Sequence, residues 1–255
     1  MSSFIIFVAN HKEPKYKLPK FHEYYIGGIS PFADLYKSKL RNHYKLNCIY
    51  EKSAVYGEVT VLHSIFNDIK NNDITHDVIG FSQYRRIFIR PRFWFFVKNF
   101  FHALGFDLSL NAVRLIAYKP TMYKRGTLVV PEPVTFDTSV QEQYVRSHVE
   151  SDLLTAVATL LELYPEYENA VNKVLKRNYM YPYNMFVMQK QELLNYCMWL
   201  FPLLDVIESK LDLTGRTSYQ KRAIGFLTER IFNFWLEHNH IKLVTARVAV
   251  LEGGH

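Results

Sequence analysis

Two cysteines in 255 residues, Cys48 and Cys197, make neither a metal-ligand pair nor a disulfide framework, which suits a reducing compartment. Ten glycines and ten prolines exclude collagen-like and low-complexity scaffolds. A composition that is 49% hydrophobic and 22% charged excludes disorder. The apolar run Phe4 to Ala9 has no basic region before it and is too short for a signal peptide or a span. G-x-G-x-x-G, Walker, H-E-x-x-H, paired C-x-x-C and G-x-S-x-G motifs are all missing. Dinucleotide, P-loop, zincin and serine-hydrolase readings therefore lack their minimum residues. The expectation is one cytoplasmic, unspanned domain over residues 1–250, long enough to bury a core.

What is abundant is aromatic: 19 Phe and 18 Tyr bring Phe, Trp and Tyr to 16% of the chain. Such rings favour flat stacking surfaces. Lys plus Arg exceed Asp plus Glu by 31 to 24, a net charge of +7, so an anionic partner is favoured. Nucleic acid, acidic lipid headgroups and nucleotide diphosphates all meet that description. The basic residues are interspersed with acids rather than gathered in one block, and no nucleic-acid module is recognisable. No nucleic-acid partner is expected.

Along the chain, Phe4 to Ala9, Val78 to Phe81, Thr127 to Val130 and Tyr183 to Met188 read as buried strands. Helical spacing marks Glu58 to Ile69, Val140 to Leu163 as one helix or a pair, Gln191 to Leu211, and Tyr219 to Glu237. Strands alternating with helices predict an α/β fold, a Rossmann-type, mostly parallel sheet flanked by helices, with ligand bound beyond the carboxyl ends of its strands. Residues 90–123 interrupt this rhythm. Phe93, Trp94, Phe95, Phe96, Phe100 and Phe101 lie among Arg90, Arg92 and Lys98, the pattern either of a helix on a membrane surface or of a packed core helix.

Two constellations carry chemistry. Gln83-Tyr84-Arg85-Arg86 closes a predicted central strand, and its adjacent guanidiniums suit phosphate oxygens bidentately. In the last helix, Arg222, Gly225, Glu229 and Asn233 share one face. A helix-interior glycine costs about 1 kcal/mol against alanine, so something approaches closely at Gly225, either a substrate or a packed helix. The ten histidines, among them His11, His63 and His148, show no metal spacing.

Six blocks together resemble one family: FVANHK (Phe7 to Lys12), YGEVTVLHSIF (Tyr56 to Phe66), DVIGFSQYRRIF (Asp77 to Phe88), LVVPEPVTFDTSVQEQYVRSH (Leu128 to His148), YNMFVMQKQELLNYCMWLFPLL (Tyr183 to Leu204) and YQKRAIGFLTERIFNFWL (Tyr219 to Leu236). They resemble the bacterial polysaccharide-biosynthesis glycosyltransferases that share a domain of unknown function, galactofuranosyltransferases among them. Gln83 stands where that family usually has His. The resemblance implies a GT-A-like fold and inverting transfer of a hexose, such as galactofuranose, from a UDP-sugar donor. The implied acceptor is a lipid-linked or oligosaccharide hydroxyl of capsule or O-antigen, met at the inner face of the cytoplasmic membrane.

On that resemblance Asn10, His11 and Lys12 contact the nucleotide, and Tyr84, Arg85, Arg86 and Arg222 the donor diphosphate. His148, Asn184 and Gly225 face the sugars, and Glu229 is the general base. An inverting transfer needs one carboxylate, whereas glycoside hydrolysis needs a pair. There is no Asp-x-Asp motif, so metal independence is expected, with Glu58, Asp77 and Asp137 as the carboxylates a Mn or Mg ion would otherwise use.

Overall fold

A computed structural model describes residues 3–10, 21–26, 49–89 and 117–250. Its strands in chain order are β1 (Phe4–Asn10), β2 (His22–Ile26), β3 (Val78–Gln83), β4 (Arg86–Ile89), β5 (Leu128–Pro131), β6 (Val134–Thr135), β7 (Tyr179–Met180), β8 (Phe186–Gln189) and β9 (Leu243–Val250). The α-helices are α1 (Ser53–Tyr56), α2 (Val59–Lys70), α3 (Val140–Ser147), α4 (Glu150–Leu163), α5 (Glu168–Lys176), α6 (Lys190–Lys210) and α7 (Ala223–His238).

The strands expected as continuous apolar runs are buried on both faces, and period-two alternation sorts their side chains between two cores. Ile5, Phe7, Ile79, Phe81, Leu128, Val130, Phe186 and Met188 pack with the helices. Ile6, Val78, Val129 and Val187 point the other way, into a smaller cluster with Phe88, Tyr118 and Ala246. Gly80 sits on that second face. A Cβ there would lie 2.6 Å from Ile6 Cγ1 and 3.1 Å from Val187 Cγ2, so only glycine lets β1 and β8 close over β3.

The sheet corrects the expectation of a mostly parallel Rossmann arrangement. Its order is β2-β1-β3-β4-β9-β5-β8, with β8 also paired to β3. β1 runs parallel to β2 and β3, and β5 parallel to β9. The pairings β3–β4, β3–β8, β4–β9 and β5–β8 are antiparallel, so β3, β4, β9, β5 and β8 close a small barrel-like ring beside a parallel edge. The two residues that join β3 to β4, Tyr84 and Arg85, are not among the described positive-φ residues. A turn of that kind splays its strands instead of continuing the hairpin twist. Only Gln83 and Arg86 pair across it, and β3 is left to pair with β8.

Val140 to Leu163 is a pair of helices, broken at His148, which is extended at φ −139°. Ser139 opens α3 with a capping box: its hydroxyl accepts from Glu142 N at 3.2 Å, and the Glu142 carboxylate accepts from Ser139 N at 3.2 Å. The last helix starts later than its periodicity suggests, after a 3₁₀ turn at Gln220–Arg222. The strand expected from Tyr183 begins only at Phe186, because Tyr183 and Asn184 form a turn with φ of 74° and 52°. The aromatic segment at 90–116 lies outside the described residues. Ala117 bridges to Ile89, and Tyr118 joins the second core. Among the described residues no helix is long and apolar enough to cross a membrane.

Candidate functional site

The carboxyl ends of β1 and β3, the starts of α1 and α2, the turn before β8 and the first turns of α7 surround a cavity of about 840 Å³. Asn10, the last residue of β1, is 3% exposed and lines it. His11 and Lys12 lie outside the described residues. The β3–β4 turn contributes Tyr84, Arg85 and Arg86, and α7 with the turn before it contributes Arg222, Gly225 and Glu229. His148, at the end of α3, completes the wall. Topology thus brings these candidates together from four separate stretches of chain.

Among the described residues two carboxylates face this space, in different environments. Glu229 Oε1 accepts from the Tyr183 main-chain N at 3.2 Å, and Oε2 accepts from Arg230 Nη1 at 3.2 Å. Burial raises the Glu229 carboxyl above its ordinary pKa, Arg230 opposes that, and the nearby charge of Glu58 adds to it. Glu58 stands just before α2. Its Oε1 accepts from Gln83 Nε2 at 3.0 Å and Asn184 Nδ2 at 3.3 Å, and its Oε2 lies 3.8 Å from Arg222 Nη2. Glu229 is thereby a carboxyl whose protonated form burial favours, whereas Glu58 is held by amides and a guanidinium.

The arginines are set by rings and amides. Arg86 donates to Gln83 Oε1 at 2.7 Å and lies 4.2 Å over the Tyr183 ring. Arg85 stands 5.1 Å from the Tyr84 ring centre. Arg222 pairs with Glu58, not with Glu229, and its guanidinium lies 5.4 Å from the Phe226 ring. Arg230 is buried: it bonds Phe226 O, Glu229 and Gln143 Oε1 and lies over the Tyr144 ring at 4.9 Å.

Asn184 is buried and is not part of the cavity lining; its amide reaches Glu58 and the Gly225 carbonyl from behind the wall. The close approach that Gly225 permits is a helix contact, since a Cβ there would meet the Tyr56 carbonyl at 3.3 Å. Asn233, on the same face of α7, is fully buried and binds both backbone groups of Tyr181, which fixes the segment leading into the Tyr183 turn. His148 stacks on Phe226 at 4.1 Å, and burial with help from Arg230 pushes its imidazole down to about 4. At neutral pH it is uncharged.

Of the carboxylates considered for a cation, only Glu58 lines the cavity. Asp77 accepts from the amide and hydroxyl of Ser3, and Asp137 pairs with Arg146. Among the described residues no three His, Cys, Asp or Glu side chains gather as a metal site. Gln83 and Tyr183 are parts of the site that sequence reasoning did not assign a role. Gln83 belonged to the singled-out strand end, whereas the link from Tyr183 to Glu229 spans 46 residues and has no local signature.

Residues 5–240 match the profile of a family described as a domain of unknown function, DUF4422. The chain belongs to this family. The DUF4422 chain is similar in fold to the apo structure of the WbbM bifunctional glycosyltransferase, with a TM-score of 0.75 and 19% sequence identity over 98% of its length. It covers 46% of that chain, so it spans about half the length of the protein it matches. No curated protein matches it in sequence.

Proposed function

We propose that this DUF4422 chain is a glycosyltransferase that moves a hexose from a UDP-sugar to a hydroxyl of a surface-polysaccharide acceptor with inversion. The observation that carries the reading is the pairing, in one cavity, of a carboxylate raised by burial with a strand-end arginine pair. In this reaction Glu229 accepts the acceptor hydroxyl proton while that oxygen bonds to the anomeric carbon and the bond from that carbon to the diphosphate breaks. The electron pair leaves with the diphosphate, whose growing charge Arg85 and Arg86 stabilise. In this reading Asn10, at the end of the first strand, contacts the nucleotide together with His11 and Lys12, supported by the place of Asn10 in the cavity lining. The fold likeness to a glycosyltransferase supports the reaction class.

Cation-independent chemistry is part of the proposal, supported by the absence of Asp-x-Asp and by the amides and guanidinium that already hold Glu58. Peripheral attachment at the inner face of the cytoplasmic membrane rests on the aromatic and basic run from Phe93 to Phe106.

Calorimetric titration with UDP, UDP-galactopyranose, UDP-galactofuranose and a GDP-sugar, each with EDTA and with manganese, tests the reading. The expected result is micromolar UDP binding that ignores EDTA and is lost in Arg85→Ala. Absence of binding by any nucleotide under every condition would overturn it.

A further inference from the structure

We propose that His148, Phe226 and Tyr219 form an acceptor subsite, a wall of stacked rings that takes the apolar face of a sugar ring and sets one of its hydroxyls against Glu229. The inference rests on the glycosyltransferase reading and names where its second substrate sits. His148 and Phe226 stack at 4.1 Å with their planes 22° apart, Tyr219 stacks on His148 at 5.9 Å, and Tyr219 lies 5.0 Å from Phe226. All three line the cavity. Tyr219 is 53% exposed while touching two aromatic neighbours. It presents open ring surface at the site.

The position of this wall argues for the acceptor. Phe226 precedes Glu229 by three residues on α7, so the two share a helix face one turn apart. The contacts continue in space: Glu229 meets Arg230, Arg230 lies over Tyr144, and Tyr144 lies 4.8 Å from His148. A general base must sit beside the nucleophilic hydroxyl, and this wall adjoins it. Of the residues suited to the donor, Asn10, Arg85 and Arg86 come instead from the strand ends, and Arg222 borders the wall, 5.4 Å from the Phe226 ring centre.

The chemistry of the wall fits a neutral sugar. The imidazole is uncharged at pH 7 and so adds no cation to the wall, and the exposed ring of Tyr219 is its open π surface. One face of a pyranose or furanose carries C–H groups with partial positive charge, complementary to the negative face of an aromatic ring. Such a surface holds a sugar without binding its hydroxyls, which leaves them open to a base.

Saturation-transfer NMR with methyl β-galactopyranoside, methyl β-galactofuranoside and methyl β-glucopyranoside, run in parallel with UDP calorimetry, tests the assignment on wild type, Tyr219→Ala, Tyr219→Phe and Phe226→Leu. Tyr219 is exposed, so its truncation leaves the core intact. The expected result is glycoside binding weakened about tenfold in Tyr219→Ala and Phe226→Leu, the scale of losing one ring face. Binding is expected to be kept in Tyr219→Phe, with UDP affinity unchanged throughout. Equal glycoside binding in all four proteins, or none by wild type, would overturn the subsite while UDP binding kept the broader reading standing. Loss of UDP binding in Tyr219→Ala would place a nucleobase on the wall instead and likewise overturn it. Failure of wild type to bind UDP at all would remove the reading on which the subsite rests.

Discussion

The main-chain amide of Tyr183 donates to Glu229 Oε1 at 3.2 Å, so the carboxylate on the last long helix is oriented by a turn 46 residues earlier. That turn puts Tyr183 at φ 74° and Asn184 at 52°, a left-handed region costly for a bulky non-glycine residue. Its supports are visible: Gln83 Nε2 donates to the Tyr183 carbonyl at 2.9 Å, Arg86 covers the Tyr183 ring, and the Asn184 amide reaches Glu58. A strained turn held from three sides fixes the site's geometry before substrate arrives.

In the proposed transfer Glu229 acts as a base in its ionised form, so rate is expected to rise with pH through its pKa. Burial raises that pKa, and the rising limb of kcat is expected above the ordinary glutamate range. Glu229→Gln is expected to lower kcat about 10²- to 10⁴-fold with UDP affinity retained. Glu58 contributes to the upward shift through its charge, so Glu58→Gln is expected to move the limb toward acid. A pH–rate profile of each variant reads both effects, and a limb that stays in place in Glu58→Gln would separate the two carboxylates.

Gln83 joins three parts of the site at once. Its amide nitrogen donates to Glu58 and to the Tyr183 carbonyl, and its amide oxygen accepts from Arg86. Gln83→Leu is expected to cost about 1–3 kcal/mol of stability, because partly buried polar partners lose their bonds, and to weaken UDP binding as Arg86 loses its tether. Gln83→His restores one donor and one acceptor, and it is expected to recover most of the UDP affinity. Urea denaturation and UDP titration of both variants check this.

The parts legible in the sequence are those whose burial leaves a local pattern. β1, β3 and β5 are covered on both faces and read as continuous apolar runs. β9 left no such trace: its buried residues, Ala246 and Ala249, are three apart, and it is a strand because β4 and β5 flank it. α5 is nine residues long with only Ala170, Val171 and Val174 buried, too short for periodicity to stand out. The antiparallel ring was illegible because pairing direction is a tertiary property. In the site, the arginine pair and Glu229 carry recognisable chemistry, whereas Tyr183 does nothing in sequence to advertise a positive φ, and the ties from Glu58 to Gln83 and Asn184 span 25 and 126 residues.

Gly80 tests the packing that shapes the ring. An added methyl would collide with the branched part of Ile6, at 2.6 Å from Cγ1 and 3.2 Å from Cβ, and with Val187 on the opposite neighbour. Neither can swing away, because each is fully buried in a strand. Gly80→Ala is expected to destabilise by about 1–3 kcal/mol despite the better strand entropy of alanine. Ile6→Val with Gly80→Ala does not remove that Cγ1 contact, so it is expected to recover little, whereas Ile6→Ala with Gly80→Ala is expected to be less destabilised than the sum of the two single changes. Urea denaturation of the four proteins forms the cycle.

Arg216 and Asp152 tie the loop that delivers Tyr219 and Arg222 to the cavity. The guanidinium grips both carboxylate oxygens of Asp152, at 2.6 and 2.8 Å, and Asp152 is buried in α4. Hydrogen bonding to Asp152 raises the Arg216 pKa above its already high ordinary value, so the guanidinium stays charged. Removing one partner leaves the other without compensation. Arg216→Met is expected to cost about 3–5 kcal/mol, and Asp152→Leu with Arg216→Met to recover much of it, because an apolar pair demands no desolvation. Stability and site geometry separate in the double variant. Urea denaturation is expected to return toward wild type, while acceptor-glycoside binding stays weakened because the loop carrying Tyr219 has lost its directional anchor. Full recovery of binding in the double variant would show that the ion pair contributes stability alone.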